Sequence, residues 1–252
     1  MIEIHSHILP GFDDGAQSRD EALEMAHQAA QQGITDIIAT PHHGNGVYMA
    51  PKELVVQAVE EMNRVFESYE LPIKLHTGQE IRVYDGLIDD WENDKLLTLA
   101  KSRYILLELP HSHVPGYFDE MVYELSIRDL IPVIAHPERN KEIIESPELL
   151  EGWIENGVLC QVTSHSLIGL FGRKIQKATI QLCKSRLNHF VSSDAHNCKE
   201  RAFALREAYR MVDRSLGRGI MNRYKENSRR LLSNEDALSD EPVRAKRKLL
   251  FW

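Results

Sequence analysis

The chain opens with Ile2-Glu3-Ile4-His5-Ser6-His7, and histidines at i and i+2 of an extended segment share one face. Such a pair can converge on one metal ion if the remaining ligands come from farther along the chain. Candidates recur after nearly every later apolar run: Asp14, His42, Glu80, Glu108, His136, Asp194 and His196. One His-x-His is a weak signal. Nitrogen and oxygen donors ending one apolar run after another point instead to a multinuclear hydrolytic metal site. With imidazole and carboxylate donors and no evident thiolate, Mn²⁺, Fe, Zn²⁺ or Mg²⁺ in a hydrolytic cluster suits the set better than a structural zinc site.

Each candidate also has a plainer reading. Asp13-Asp14-Gly15 favours a turn in any case, and spacing does not choose which aspartate would face a metal. In Thr40-Pro41-His42-His43 the two imidazoles point opposite ways, so one ligand is expected. Glu80 and Glu108 end apolar strands, where a carboxylate is costly to bury unless paired or metal-bound; a rim salt bridge is the alternative. Arg139 follows His136 by three residues, and a guanidinium there matches phosphoryl oxygens bidentately. It could equally pair with Glu138 or Glu142 on a helix surface. Asp194-Ala195-His196 repeats the i, i+2 pattern, and Arg201, read as opening the next helix, is either a second cation or a solvated helix residue. His111 and His113 are expected to line the mouth, and the other histidines to be structural or exposed. No cysteine is followed six positions later by arginine, and there is no P-loop and no GxGxxG, which leaves metals and arginines to handle any phosphate.

The elements that must position these residues alternate in type. Strands are expected at 2–5, 36–39, 73–80, 104–109, 132–135, 159–163 and 190–193. A helix capped by Ser18, with Glu21 completing a capping box, runs to Gln31 and ends at Gly33. Further helices are expected from Pro51 to about Tyr69 and over 118–129, 147–156, 171–185, 200–212 and 218–232. Seven strands alternating with helices imply parallel βα units with right-handed crossovers and an active site at the C-terminal strand ends, where the candidate donors fall. The expected fold is an α/β barrel forming a single domain over residues 1–232. Residues 233–252, acidic, then basic at Arg244–Lys248, form a tail expected to be loosely ordered or peripherally docked.

The formal charge of −8 argues against broad nucleic-acid binding without excluding a local cationic pocket. Three cysteines without a CxxC pair suggest a reducing compartment, and no apolar run approaches the roughly 18 residues of a membrane span. The start of the chain lacks a basic region followed by an apolar stretch, so a signal peptide is not expected and a cytoplasmic location is.

Taken in order, these motifs resemble the polymerase-and-histidinol-phosphatase (PHP) superfamily. Within it, Ile4-His5-Ser6-His7-Ile8-Leu9-Pro10-Gly11, Asp13-Asp14-Gly15, Thr40-Pro41-His42, Gly78-x-Glu80, His136-Pro137-Glu138-Arg139 and Ser193-Asp194-Ala195-His196-Asn197 are similar to the bacterial protein-tyrosine phosphatases of capsule and exopolysaccharide operons, the CpsB/CapC/YwqE type. The resemblance implies a distorted (β/α)7 PHP barrel with a trinuclear centre, manganese being expected and iron, zinc or magnesium the alternatives. It implies that His5, His7, Glu80 and Asp194 hold one metal, that Glu80, Glu108 and His136 hold a second, and that Asp14, His42 and His196 hold a third. Arg139 and Arg201 would bind phosphate. The implied reaction is hydrolysis of phosphotyrosine in proteins by a metal-activated hydroxide, with a bacterial tyrosine kinase and its targets as partners. A small-molecule phosphatase of histidinol-phosphate type and a non-catalytic metal-binding regulator are the rival readings.

Overall fold

Short β-rich runs alternate with helices along the described residues, 1–243 of a computed structural model. The first half of the chain contains β1 (Ile2–Ser6), α1 (Arg19–Gln32), β2 (Asp36–Ala39), β3 (His42–His43), α2 (Lys52–Ser68), β4 (Lys74–Thr77), β5 (Glu80–Arg82), α3 (Leu87–Glu92), β6 (Tyr104–Glu108) and α4 (Phe118–Ser126). Next come β7 (Ile131–Ala135), α5 (Lys141–Glu145), α6 (Leu149–Glu155), β8 (Leu159–Thr163), α7 (Ser164–Ile168), α8 (Arg173–Lys184), β9 (Phe190–Ser192), α9 (Leu205–Leu216) and α10 (Arg218–Leu232).

Among the described residues every strand pairing is parallel. The hydrogen-bonded orders are β1-β2-β4 and β3-β5-β6-β7-β8-β9. β2 and β3 are two parts of one stave, broken at Thr40-Pro41, and β4 and β5 are two parts of the next, broken at Gly78-Gln79. Counted so, the nine strands make seven staves, and a bridge from Ser6 to Ala195 closes the ring. The expected barrel is therefore present, with the single strand read over 73–80 divided in two. Pro41 has no N–H to continue a ladder. At Gly78 a β-carbon would lie 2.8 Å from Ile38 Cγ2, so only glycine lets the third stave bend against the second.

Ile4, Ile38, Leu106, Val133, Leu159 and Phe190, from six of the staves, fill the barrel interior with Leu99 and Leu231. A larger cluster, including Met25, Phe66, Ile105, Ile134, Val162 and Leu205, packs the helices onto the outer strand faces. Ser18 caps α1 by accepting the Glu21 N–H at 3.1 Å, and Gly33 ends it at φ +81°. The short helices α3, α5 and α7 escape periodicity analysis because five or six residues hold too few turns to show a face. Among the described residues no helix is long and apolar enough to cross a membrane.

Beyond α10 the chain straps the end of the barrel opposite the candidate donors. Tyr104 Oη donates to Glu235 O at 2.7 Å and accepts the Ala237 N–H at 2.8 Å, and Val243 N–H reaches Ser185 O at 2.9 Å. The basic run Arg244–Lys248 and the rest of the tail lie outside the described residues.

Candidate metal centre

The candidate donors meet at the C-terminal mouth of the barrel in three groups whose ligand atoms lie within 4.8 Å of one another. One is His5, His7, Glu80 and Asp194; another is His7, Asp14, His42 and His196; the third is His42, Glu80 and Glu108. His136 stands beside the third group through Glu80, its Nε2 lying 2.8 Å from Oε1. All nine candidate donors from the sequence are thus brought together, with His7, His42 and Glu80 each shared between groups.

Local features of the chain aim these side chains. Glu3 pairs with Ile37 and Ser6 with Ala39, so β1 carries one residue more than β2 over this stretch. This bulge turns His5 onto the interior face already occupied by Ile4, where simple alternation would have sent it outward. His136 and Asp194 sit at φ +34° and +54°, conformations that cost energy for residues with a β-carbon and cluster at functional sites. Asp13 and Asp14 are placed differently by their hydrogen bonds. Asp13 accepts from His7 Nδ1 at 2.7 Å and from the backbone N–H groups of His42 and Gly15 at 2.8 and 2.9 Å. Asp14 faces the centre, 3.6 Å from His42 Nε2 and 3.5 Å from His196 Nε2. His43 turns away, Nδ1 lying 3.0 Å from Ala50 O, as expected for one of two adjacent imidazoles.

Several contributors were missed at the level of sequence. Gln161, fully buried in β8, holds His5 Nδ1 at 2.8 Å, and its signal was a polar residue amid an apolar strand. Glu3, also buried, accepts the Ser193 N–H at 2.9 Å and the Ser192 hydroxyl, tying β1 to β9. Arg82 at the end of β5 pairs with Glu108 at 2.9 Å and donates to Leu109 O at 3.1 Å.

The two arginines converge on a single oxygen. Arg139 Nη1 lies 2.7 Å and Arg201 Nη2 2.9 Å from Asp194 Oδ2. Arg139 is not paired with Glu138 or Glu142 on a surface: Glu138 is buried and accepts the Thr163 N–H at 2.9 Å, while Glu142 accepts the Val114 N–H at 2.7 Å. Arg201 does not open a helix. Asn197 Oδ1 accepts the N–H groups of Lys199 and Arg201, forming a turn, so α9 begins only at Leu205. Both arginine Nε atoms are buried without a hydrogen-bond partner among the described residues.

Burial alone would raise the Glu80 carboxyl, yet the imidazoles of His5 and His42 hold it well below the usual carboxylate range. Asp194 is likewise held well below that range against its burial, by Arg139 and His5. Burial opposes charge on His7, but Asp13 raises its imidazole well above the ordinary value. Glu108 is pushed up to about 7 by burial and by repulsion from Glu80, with Arg82 offsetting only part. His136 is driven down to about 4 by burial and by Arg139.

The donor set fits divalent cations on a second ground. Glu80 Oε2 is approached by His5 Nε2 and His7 Nε2 at 3.3 Å and by His42 Nδ1 at 2.9 Å, yet among the described residues it has no hydrogen-bond partner. Asp194 Oδ1, His42 Nδ1 and His196 Nε2 are likewise buried with no hydrogen-bond partner among the described residues. Atoms that crowd together without lining up as donor and acceptor are arranged for a shared cation.

A seven-stave parallel barrel with histidine and carboxylate donors gathered at its mouth is the architecture of the PHP class. The family model for capsular polysaccharide synthesis, CpsB/CapC, matches residues 1–233, and the chain belongs to that family. It is 43% identical to the tyrosine-protein phosphatase YwqE of Bacillus subtilis over 251 residues, covering 100% of this chain and 99% of that one. It is 39% identical to a putative tyrosine-protein phosphatase, CapC, of Staphylococcus aureus, covering 93% and 92%. A crystal structure from work on YwqE of Bacillus subtilis and CpsB of Streptococcus pneumoniae, described as unique metal-dependent tyrosine phosphatases, superposes with a TM-score of 0.95 at 42% identity, covering 98% of this chain and 100% of that one. The chain is a metal-dependent phosphatase that does not rely on cysteine. Burial pushes the thiol of Cys183 up to about 12 and raises that of Cys160, while Cys198 Sγ lies 3.7 Å from Glu21 O.

Proposed function

We propose that this chain is a protein-tyrosine phosphatase acting in the cytoplasm on phosphotyrosine proteins of capsule or exopolysaccharide synthesis, among them a bacterial tyrosine kinase and its targets. The observation that carries this reading is the convergence of Arg139 and Arg201 on Asp194 Oδ2, with their Nε atoms buried and without a hydrogen-bond partner among the described residues. Two fixed guanidinium edges beside a metal-type donor set form a receptor for a phosphoryl dianion. His5, His7, Glu80 and Asp194 would hold one manganese, Glu80, Glu108 and His136 a second, and Asp14, His42 and His196 a third. Bound there, divalent ions lower the pKa of water and offset phosphoryl charge.

The chain's own groups do the rest. Arg139 and Arg201 orient the equatorial oxygens, and Asp13 and Gln161 keep His7 and His5 in the tautomers whose Nε2 lone pairs face the centre. A tyrosine leaving group has a pKa of about 10, so it departs with less proton assistance than an alkoxide. The test is manganese-dependent phosphate release from a phosphotyrosine peptide, with a phosphoserine peptide alongside. Arg139→Ala is expected to lower kcat/KM by about a hundredfold or more, the order found for a lost transition-state contact. Equal turnover by wild type and Arg139→Ala would sink the proposal, and equal turnover of both peptides would favour a small-molecule phosphatase.

A further inference from the structure

Two short loops at the mouth are built alike. In residues 44–49, Gly44 and Gly46 take φ +76° and +85°, and Asn45 Oδ1 accepts the N–H groups of Val47 and Tyr48. In residues 169–172, Gly169 and Gly172 take φ +88° and +89° and bracket Leu170-Phe171. Two positive-φ glycines let each loop turn back sharply, which residues with a β-carbon resist.

Each loop lays one aromatic ring against a residue of the centre. The Tyr48 ring lies parallel to His42, 6.1 Å between centroids and 9° between planes. The Phe171 ring lies beneath the Arg139 guanidinium, 4.5 Å from its carbon. Beside these rings aliphatic side chains stand in water: Val47 is 78%, Met49 62% and Leu170 61% exposed. The first loop follows β3 in the second stave and the second follows α7 after β8, the sixth stave, so they face each other across the ring of seven. An anion receptor flanked on two sides by rings and exposed aliphatic groups fits a ligand anionic at one end and flat and apolar behind it.

We propose that Tyr48 and Phe171 determine specificity for the leaving group. The phosphoryl end reaches Arg139 and Arg201, the aryl ring of a phosphotyrosyl polypeptide packs between the two loops, and Val47, Met49 and Leu170 take the flanking residues. Phe171 is also a positioning residue, since its ring covers one face of Arg139. This inference rests on the tyrosine-phosphatase reading above.

The test compares phenyl phosphate with ethyl phosphate in the manganese-loaded protein. It also measures calorimetric binding of phenylphosphonate against methylphosphonate, which needs no turnover. Phe171→Leu and Tyr48→Leu are each expected to lower the aryl-to-alkyl ratio of kcat/KM about fivefold, mainly through KM, the size of one aromatic contact. The phosphonate preference should fall by the same factor, and Phe171→Tyr should keep both ratios. Unchanged ratios, or equal losses on aryl and alkyl ligands, would overturn the proposal. A wild-type protein that hydrolyses no aryl phosphate would overturn the phosphatase reading instead, and the phosphonate pair would still judge the rim.

Discussion

A histidine offers a metal one nitrogen, and the hydrogen bond at the other nitrogen decides which. His5 Nδ1 is held by Gln161 at 2.8 Å, His7 Nδ1 by Asp13 at 2.7 Å and His196 Nδ1 by Asp194 O at 3.0 Å. Gln161→Leu keeps the volume of the side chain but removes the acceptor. Manganese affinity is then expected to fall about ten- to a hundredfold, read by calorimetric titration. An unchanged affinity would show that Gln161 merely fills space. The metal-type donors were legible in the sequence from their chemistry and their places after apolar runs. Gln161 and Arg82 were not, because a single polar residue in a strand does not reveal which distant side chain it meets.

Elements carry these residues only as well as their irregularities allow. The loop after β1 folds back so that the Ala16 N–H donates to His7 O at 3.0 Å, and a β-carbon on Gly15 would lie 2.0 Å from that same oxygen. What would have to move is backbone at a donor residue, not the end of a flexible side chain. Gly15→Ala is therefore expected to cost about 3 kcal/mol, the upper range for overpacking, and to weaken metal binding with it. Urea unfolding and metal titration check both. A variant as stable as wild type with full metal affinity would contradict the argument. The seven staves were readable from period and length, but the β1 bulge and the breaks at Thr40-Pro41 and Gly78-Gln79 were not. Each is a response to a neighbouring strand.

At the scale of the whole molecule, the mouth holds the chemistry and the opposite end is tied shut by the strap. His189, just before β9, links the two halves of that closure. Its Nδ1 accepts the Cys160 N–H at 3.1 Å and its Nε2 lies 2.9 Å from Ser239 Oγ. Burial, with Arg223 nearby, drives its pKa down from 6.5 to about 4. Above pH 6.5 both folded and unfolded chains leave this imidazole neutral, and the stability is fully present. Below it the unfolded state takes up a proton that the folded state refuses until about pH 4, so stability is lost as pH falls through that window. His189→Asn keeps an acceptor for Cys160 but cannot titrate. Between pH 7 and pH 5 wild type should lose about 2 kcal/mol more than this variant in denaturant unfolding. Equal losses would place the acid sensitivity elsewhere.

Residue types and their periodic placement determined much by themselves: parallel βα units and metal-type donors at the strand ends, because side-chain chemistry and hydrophobic period are local properties. Only the tertiary structure decided that Asp13 supports His7 while Asp14 faces the centre, that Arg139 and Arg201 share one Asp194 oxygen, and that Tyr48 and Phe171 stand across the mouth. Those outcomes depend on distances between segments far apart in the chain. Such distances are set by how the staves close into a ring, and no spacing along the sequence encodes them.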